Sequence, residues 1–226
     1  MKKVLAILSM MFVIVQGSVA GAATRDLGEE LLGKVMEDDL AGVKQLLKKG
    51  ADVNYQDSFS GSTPLMMACT YGFQDIAEAL IAKGADVNLQ SKDGTTALIG
   101  AAGRHPEIVK LLLDHDADLT LTRKTGTGPL TESLVGVLTD RVTFDLPELL
   151  LAKGAEVDEA PTSGDAEGYT GLIMAAKNGH LELVKWLVEH KANVKVKAKD
   201  GTTPMSAAKE NGNKKVIAFL KKHGAK

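Results

Sequence analysis

The side chains that could carry chemistry in this 226-residue chain are few and scattered. A zinc site needs Cys or His returning at short, fixed spacing. His105, His115, His180, His190 and His223 instead stand singly, at turns or at the ends of apolar stretches. Cys69 is the one cysteine, so no internal disulfide can form. It lies inside GSTPLMMACTYG, where a small packed residue is expected, and reads as a structural thiol. No serine or cysteine sits in a nucleophile elbow, and no glycine loop has phosphate-cradling spacing. The acidic pairs Glu29-Glu30 and Asp38-Asp39 read as solvated helix faces. The expectation is a protein that is not an enzyme, with no catalytic, cofactor-binding or metal-binding residue assigned.

Any functional side chain must be positioned by a phrase that recurs along the chain. It reads GSTPLMMACTYG from Gly61, GTTALIGAAGRH from Gly94, GYTGLIMAAKNG from Gly168 and GTTPMSAAKENG from Gly201. A second phrase answers it, as KGADVN ending at Asn54 and at Asn88 and KGAEVD ending at Asp158. Pro64, Ala97, Pro129, Gly171 and Pro204 are equivalent, at separations of 33, 32, 42 and 33 residues. A fixed period in this range signals a stacked repeat array. Each unit opens on a Gly turn and a Thr that can cap a helix, with Pro at its first position in Thr63-Pro64 and Thr203-Pro204. Small pairs such as Ala68-Cys69, Ala101-Ala102 and Ala175-Ala176 follow, so that two helices can approach closely. A second apolar stretch at helical spacing, such as Ile76, Ala77, Leu80 and Ile81, then ends in Lys-Gly-Ala. There Gly50, Gly84 and Gly154 are expected in the left-handed conformation that terminates a helix.

These phrases resemble the ankyrin repeat. The pattern G-x-T-P-L-x-x-A-A-x-x-G-H-x-E-[VI]-V-K-x-L-L-x-x-G-A-D-V-N is nearly complete from Gly168 to Lys195 and strong from Gly61 to Asn88. The resemblance implies an all-α fold, an ankyrin-repeat solenoid of helix–turn–helix pairs with projecting β-hairpin-like loops. It spans residues 23–226 in six units, starting near Leu27, Ser60, Asp93, Gly126, Gly168 and Gly201.

Departures from the pattern are specific. The first unit lacks the Thr-Pro step and the small pair, and reads as an N-terminal cap; the sixth, rich in lysine, reads as a C-terminal cap. The third unit is one residue short between Ala102 and Glu107, so its inter-helix turn must tighten. The fourth carries extra residues around Thr139 to Asp145 and again in the loop Glu159 to Glu167, with Asp145 and Pro147 expected to restart its second helix. The histidine that the family places after Thr-Pro-Leu is replaced by Leu32, Met66, Ile99, Thr131, Ile173 and Ser206, which implies that its bonds across neighbouring loops are missing.

The N-terminal segment differs from the rest. Lys2-Lys3 precede a nearly unbroken apolar run from Val4 to Val15 and then small residues to Ala23. This is the pattern of a cleaved signal peptide, residues 1–22, with the cut after Ala20 or Ala22. The run is too short for the ~20 residues of a spanning helix. No stable membrane insertion is therefore expected after cleavage, and a periplasmic or secreted location follows, with a bacterial character to the leader.

Charge is also distributed unevenly. Residues 191–226 hold ten lysines against Asp200 and Glu210, whereas 23–190 hold 15 basic and 27 acidic residues. The lysine-rich end serves either cap solubility and helix dipoles or docking to an anionic surface. A net charge of −2 argues against a general nucleic-acid binder.

The resemblance implies a binding module whose concave face is built from loop tips and first helices. Its exposed, variable positions fall just before the Thr-Pro step and just after the small pair. The residues expected to bind a protein partner there are Phe59, Tyr71, Lys92, Arg104, Lys124, Tyr169, Lys177 and Asn178. Aromatic and arginine side chains at such places concentrate binding energy. Trp186 is expected to pack between units. No cofactor is implied, the partner is an unknown protein, and the chain is expected to be a monomer. Scaffold, protective or inhibitory roles fit the module. A secreted effector acting on a host protein, a stress-protection protein and a toxin-immunity protein are the alternatives.

Overall fold

The computed structural model describes residues 27–225. The expected leader, and the cleavage positions within it, lie outside the described residues. Among the described residues twelve helices follow one another: α1 (Leu27–Met36), α2 (Leu40–Lys48), α3 (Pro64–Tyr71), α4 (Gln74–Ile81), α5 (Ala97–Ala101), α6 (Pro106–Leu113), α7 (Pro129–Leu138), α8 (Asp145–Ala152), α9 (Gly171–Asn178), α10 (Leu181–Glu189), α11 (Pro204–Glu210) and α12 (Lys214–Lys222). Each odd-numbered helix packs on the next, which makes six pairs, and the pairs stack in chain order. Two of the sequence signals set the helix ends. The Thr side chains at 63, 96 and 203 accept a hydrogen bond from the backbone N–H three residues on, at 3.1, 3.2 and 3.1 Å. The glycines at 50, 84 and 154 take φ of 88, 84 and 103° and close the second helices.

One apolar core runs through the stack. It joins Leu31 and Val35 of α1 to Leu65, Ile76 and Leu80, then Leu98, Leu112, Leu130 and Leu150, and on to Leu187 and Leu220. No pair could bury these side chains alone, so stacking is what removes them from water. First helices of successive units meet extensively from α3 to α5 and from α9 to α11, while second helices meet only lightly. The closer packing of the first helices makes their side the inner one. Cys69, in the small pair of α3, is fully buried.

The loops are hairpin-like turns, with no strand among the described residues. Single backbone bonds close them, such as Ser91 N–H to the Thr95 carbonyl at 2.9 Å and Ala198 N–H to Thr202 at 2.8 Å. Others tie one loop to the next, such as Lys92 N–H to the Ser60 carbonyl and Lys124 N–H to Asp93, both 2.8 Å. Bonds across loops are therefore present without the family's histidine. Two glutamines supply them. Gln56 Nε2 donates to the Gly61 and Gln90 carbonyls at 2.9 and 3.0 Å, and Gln90 Nε2 donates to Gly94 and Thr122 at 3.0 Å each.

The irregular units solve their problems individually. In the third unit the turn tightens by shortening α5 to five residues, with His105 N–H returning to the Ala101 carbonyl at 2.9 Å. In the fourth, α8 does restart at Asp145. Its first helix, α7, begins at Gly128, which has no capping side chain. Glu159 from the inserted loop takes that role across 28 to 31 residues of sequence. Its Oε1 accepts from the N–H of Gly128 at 2.8 Å and of Thr131 at 2.9 Å, and from the Thr131 hydroxyl. A carboxylate there also complements the positive end of the helix dipole. Trp186 packs between units as expected. It lies on His190 with ring centroids 4.2 Å apart and on Phe144 at 5.8 Å, and its Nε1 donates to Glu148 Oε2 of the preceding unit at 3.1 Å.

Candidate functional site

Phe59 and Tyr71 mark the two ends of the inner face in the second unit. Phe59 tops the loop before α3 and is 92% exposed. Asp57 builds that tip, accepting from the N–H groups of Phe59, Ser60 and Ser62 at 2.9, 2.7 and 2.7 Å. Burial alone would raise the Asp57 pKa, but the Ser60 hydroxyl, which also donates to the carboxylate, and these N–H bonds outweigh it and hold the carboxyl below its ordinary range. The loop is thus a rigid support for an exposed phenyl ring. Tyr71 ends α3, is 51% exposed, and stacks on Phe73 at 5.9 Å.

The remaining expected residues divide into free and occupied groups. Lys124 and Asn178 are exposed, although the Asn178 amide donates to the Met174 carbonyl at 2.8 Å. Lys92 Nζ donates to the Ser58 carbonyl at 2.6 Å and so braces the loop carrying Phe59. Tyr169 is half-buried, its hydroxyl donating to Asp200 Oδ2 at 2.8 Å and meeting Thr202 Oγ1 at 3.1 Å, and Lys177 sits over its ring at 5.7 Å. It joins the fifth loop to the sixth, which is the local packing role rather than a free anchor.

Arg104 opens the part of the site that the repeat pattern did not reveal. It lines a notch of about 270 Å³ between the third and fourth units, with Arg123 from the loop before α7 and Arg141 from the turn after it. Three of the chain's four arginines therefore share one concavity. Arg123 is held, its guanidinium bonded to Glu132 of α7 and its Nε donating to Thr95 Oγ1 at 3.1 Å. Arg104 and Arg141 are exposed at the rim. Arg141 is fixed at the backbone because α7 ends in a Schellman turn, with Arg141 N–H on the Gly136 carbonyl at 2.9 Å and Asp140 at φ 53°.

Glycines let the walls of the notch close up. A Cβ on Gly136 would stand 2.7 Å from the Gly103 carbonyl oxygen, and one on Gly100 would stand 2.5 Å from Thr70 Oγ1. Beside the notch, His105 Nε2 lies 3.2 Å from the Thr70 carbonyl. Burial lowers its pKa and the Arg104 charge lowers it further, against the opposing bond to Thr70. Among the described residues no cluster of His, Cys, Asp and Glu could hold a metal ion. No helix of the described residues is long and apolar enough to cross a membrane.

A stack of helix pairs joined by hairpin-like loops defines a repeat solenoid, an architecture that offers an extended binding surface. The chain belongs to the ankyrin repeat family. The family model "Ankyrin repeats (3 copies)" matches residues 31–123 and 142–226. The unmatched interval, 124–141, holds α7 and ends on Arg141, so one wall of the notch, formed by Glu132, Val135, Gly136 and Arg141, lies outside the matched residues. The chain is 32% identical over 216 residues to "Ankyrin repeat and KH domain-containing protein mask-1" of Caenorhabditis elegans, covering 91% of this chain and 8% of that protein. It is 26% identical over 196 residues to Rabankyrin-5 of Homo sapiens, covering 80% and 16%. It is 30% identical over 191 residues to the "Nuclear factor NF-kappa-B p105 subunit" of Gallus gallus, covering 81% and 19%. The chain thus spans less than a fifth of the length of these relatives. Ankyrin repeats are protein-interaction modules, and that much applies to this chain.

Proposed function

We propose that this chain is an exported, non-catalytic binding module of six ankyrin units, which holds one protein partner along the inner face between Phe59 and the Arg104 notch. The observation that carries this reading is exposure. Among the described residues Phe59 and Tyr71 are the large hydrophobic side chains left exposed, and both lie on the inner side, while the other large apolar groups are buried or partly buried. At 92% exposure the Phe59 ring adds little to the core, and its loop holds it in water. On a partner's surface it becomes an anchor. Phe59, Tyr71, Arg104 and Lys124 are the contact residues we assign, with Lys177 and Asn178 at the far edge. Tyr169 and Lys92 support them from behind.

The location rests on the N-terminal sequence, whose Lys-Lys start, apolar run and small residues fit a secretory leader cut after Ala20 or Ala22. Binding by the mature protein in the periplasm, as scaffold, protector or inhibitor, follows from combining the two. Affinity purification of the tagged full-length chain from fractionated cells tests both parts. The expected result is a mature N-terminus at Gly21 or Ala23, together with a stoichiometric partner that Phe59→Ala and Tyr71→Ala release. Retention of Met1 in the cytosol refutes export. A partner held equally by wild type and the double variant refutes the assigned face.

A further inference from the structure

We infer that the notch between the third and fourth units is a carboxylate socket, which takes an acidic side chain from an extended segment of the partner. The inference rests on the partner-binding reading above and names the chemistry of one contact within it.

Concentration of arginine is the first argument. The array outside its C-terminal end is acidic, with 15 basic and 27 acidic residues between 23 and 190, yet Arg104, Arg123 and Arg141 share this one concavity. Lysine would serve for solubility, and the chain uses it almost everywhere else. Arginine presents a planar fork that pairs two-pronged with a carboxylate, and it remains charged at any ordinary pH. Like charges brought together without a ligand repel one another. Glu132 answers Arg123 alone, and among the described residues the Arg104 and Arg141 guanidinium groups have no carboxylate in ion-pair contact.

Size is the second argument. About 270 Å³ is below the range of pockets that enclose drug-sized ligands, but it admits a side chain entering from a larger molecule. The notch is shaped for a narrow entrant, since Gly100 and Gly136 let backbone and side chains close where any Cβ would collide. A nucleic acid is less well served. No aromatic ring lines the notch for base stacking, and the acidic flanks repel a polyanion that must extend beyond it.

Titration of the isotopically labelled full chain, followed by amide NMR, tests the socket. The probes are a blocked Gly-Glu-Glu-Gly peptide, its Gly-Gln-Gln-Gly counterpart and inorganic phosphate. The glutamate peptide is expected to shift the amides of Gly100, Gly103, Arg104, Gly136 and Arg141, with binding that weakens as salt rises. The glutamine peptide leaves them unmoved. Arg104→Gln with Arg141→Gln weakens glutamate-peptide binding about tenfold, while Lys214→Gln with Lys215→Gln leaves it unchanged. Both arginines are exposed, and an unchanged melting temperature verifies that the fold is intact. Equal binding of the two peptides, shifts confined to the C-terminal lysines, or binding indifferent to the arginine substitutions overturns the socket. Phosphate bound more tightly than the glutamate peptide overturns it in favour of a phosphorylated or nucleic-acid ligand. A co-purified partner that the Arg104/Arg141 variant holds as well as wild type also overturns the socket, while the binding reading stands. Peptide capture by a chain that co-purifies with nothing supports the socket and removes the partner-binding reading instead.

Discussion

Glu159→Ala should loosen the fourth unit by about 2 kcal/mol. The wild-type carboxylate accepts from the N–H of Gly128 at 2.8 Å and of Thr131 at 2.9 Å, and from the Thr131 hydroxyl. These are the groups that a capping side chain satisfies, and Gly128 has none of its own. Losing a helix N-cap costs ~0.5–2 kcal/mol. The charge adds ~0.3–1 kcal/mol through the helix dipole. Water can reach the half-buried site in part, which keeps the total near ~2 kcal/mol rather than at the sum of three charged bonds. The fourth unit meets its neighbours lightly through α5, α7 and α9, so the loss should appear as local opening before global unfolding. Hydrogen exchange at the Thr131 amide is therefore the sharpest assay, with protection expected to fall about thirtyfold. Glu159→Gln keeps an acceptor without the charge and should lose about half as much. An Ala variant that keeps Thr131 protection within twofold of wild type, or a Gln variant as damaged as Ala, would refute the reasoning about charge and capping.

Other substitutions test the remaining physical claims. Asp116 and Lys191 stand where other units have glycine, at φ 60 and 71°. Relieving left-handed strain returns ~1–2 kcal/mol, less the ~0.5–1 kcal/mol that glycine loses in entropy. Asp116→Gly also removes a negative charge from a helix C-terminus, so it should raise the melting temperature by about 2–4 °C, more than Lys191→Gly. Asp116→Ala, which keeps the strain, should show no such gain. Cys69 is fully buried and burial pushes its thiol pKa far up, so an aromatic disulfide reagent should label it no faster than the protein unfolds. His105 has its pKa lowered in the fold, by burial first and then by Arg104, so the native state binds fewer protons than the unfolded chain. Its contribution is complete above the unfolded pKa of about 6.5 and is lost as pH falls toward the folded value. Urea midpoints from pH 8 to 5 should decline, and His105→Gln should flatten that slope.

The regular parts of this fold were legible because repeat physics is local. A Thr cap, a small pair and a terminal glycine each act within a few residues, so the same letters build similar turns in successive units, with Thr170 the exception that stands at the N-cap of α9 without a side-chain hydrogen bond. Even the irregularities could be placed, since a residue missing between Ala102 and Glu107 forces a shorter turn, and α5 stops at Ala101. What could not be read depends on distance along the chain. Glu159 reaches back to Gly128, and Gln56 reaches forward to the Gln90 carbonyl. Neither contact belongs to the repeat pattern. The notch was half legible for the same reason. Arg104 occupies a recognisable position after the small pair, whereas Arg141 lies in an insertion that has no equivalent in other units. Its only signal was the scarcity of arginine, of which the chain has four. Tyr169 shows the converse error, since a position that is variable and loop-borne still spends its hydroxyl on Asp200.

A perfectly regular array would offer the same groove at every step, with nothing to fix a partner's register. The notch forms instead where regularity fails twice in succession. Shortening α5 opens space at the end of one first helix. The extended turn after α7 then carries Arg141 into that space, anchored by the Schellman bond to the Gly136 carbonyl. The inner helices α5 and α7 meet far less closely here than α3 and α5 do before them, so the gap is not refilled by packing. Glu159 keeps α7 in place while its neighbours hold it loosely, and α7 in turn presents Glu132 to Arg123. The inserted loop is therefore coupled to the socket through one helix. Deepened exchange at Thr131 in Glu159→Ala should accordingly be accompanied by weaker glutamate-peptide binding, although Glu159 caps the opposite end of α7 from Arg141. Unchanged peptide affinity in that variant would show that the two insertions act independently.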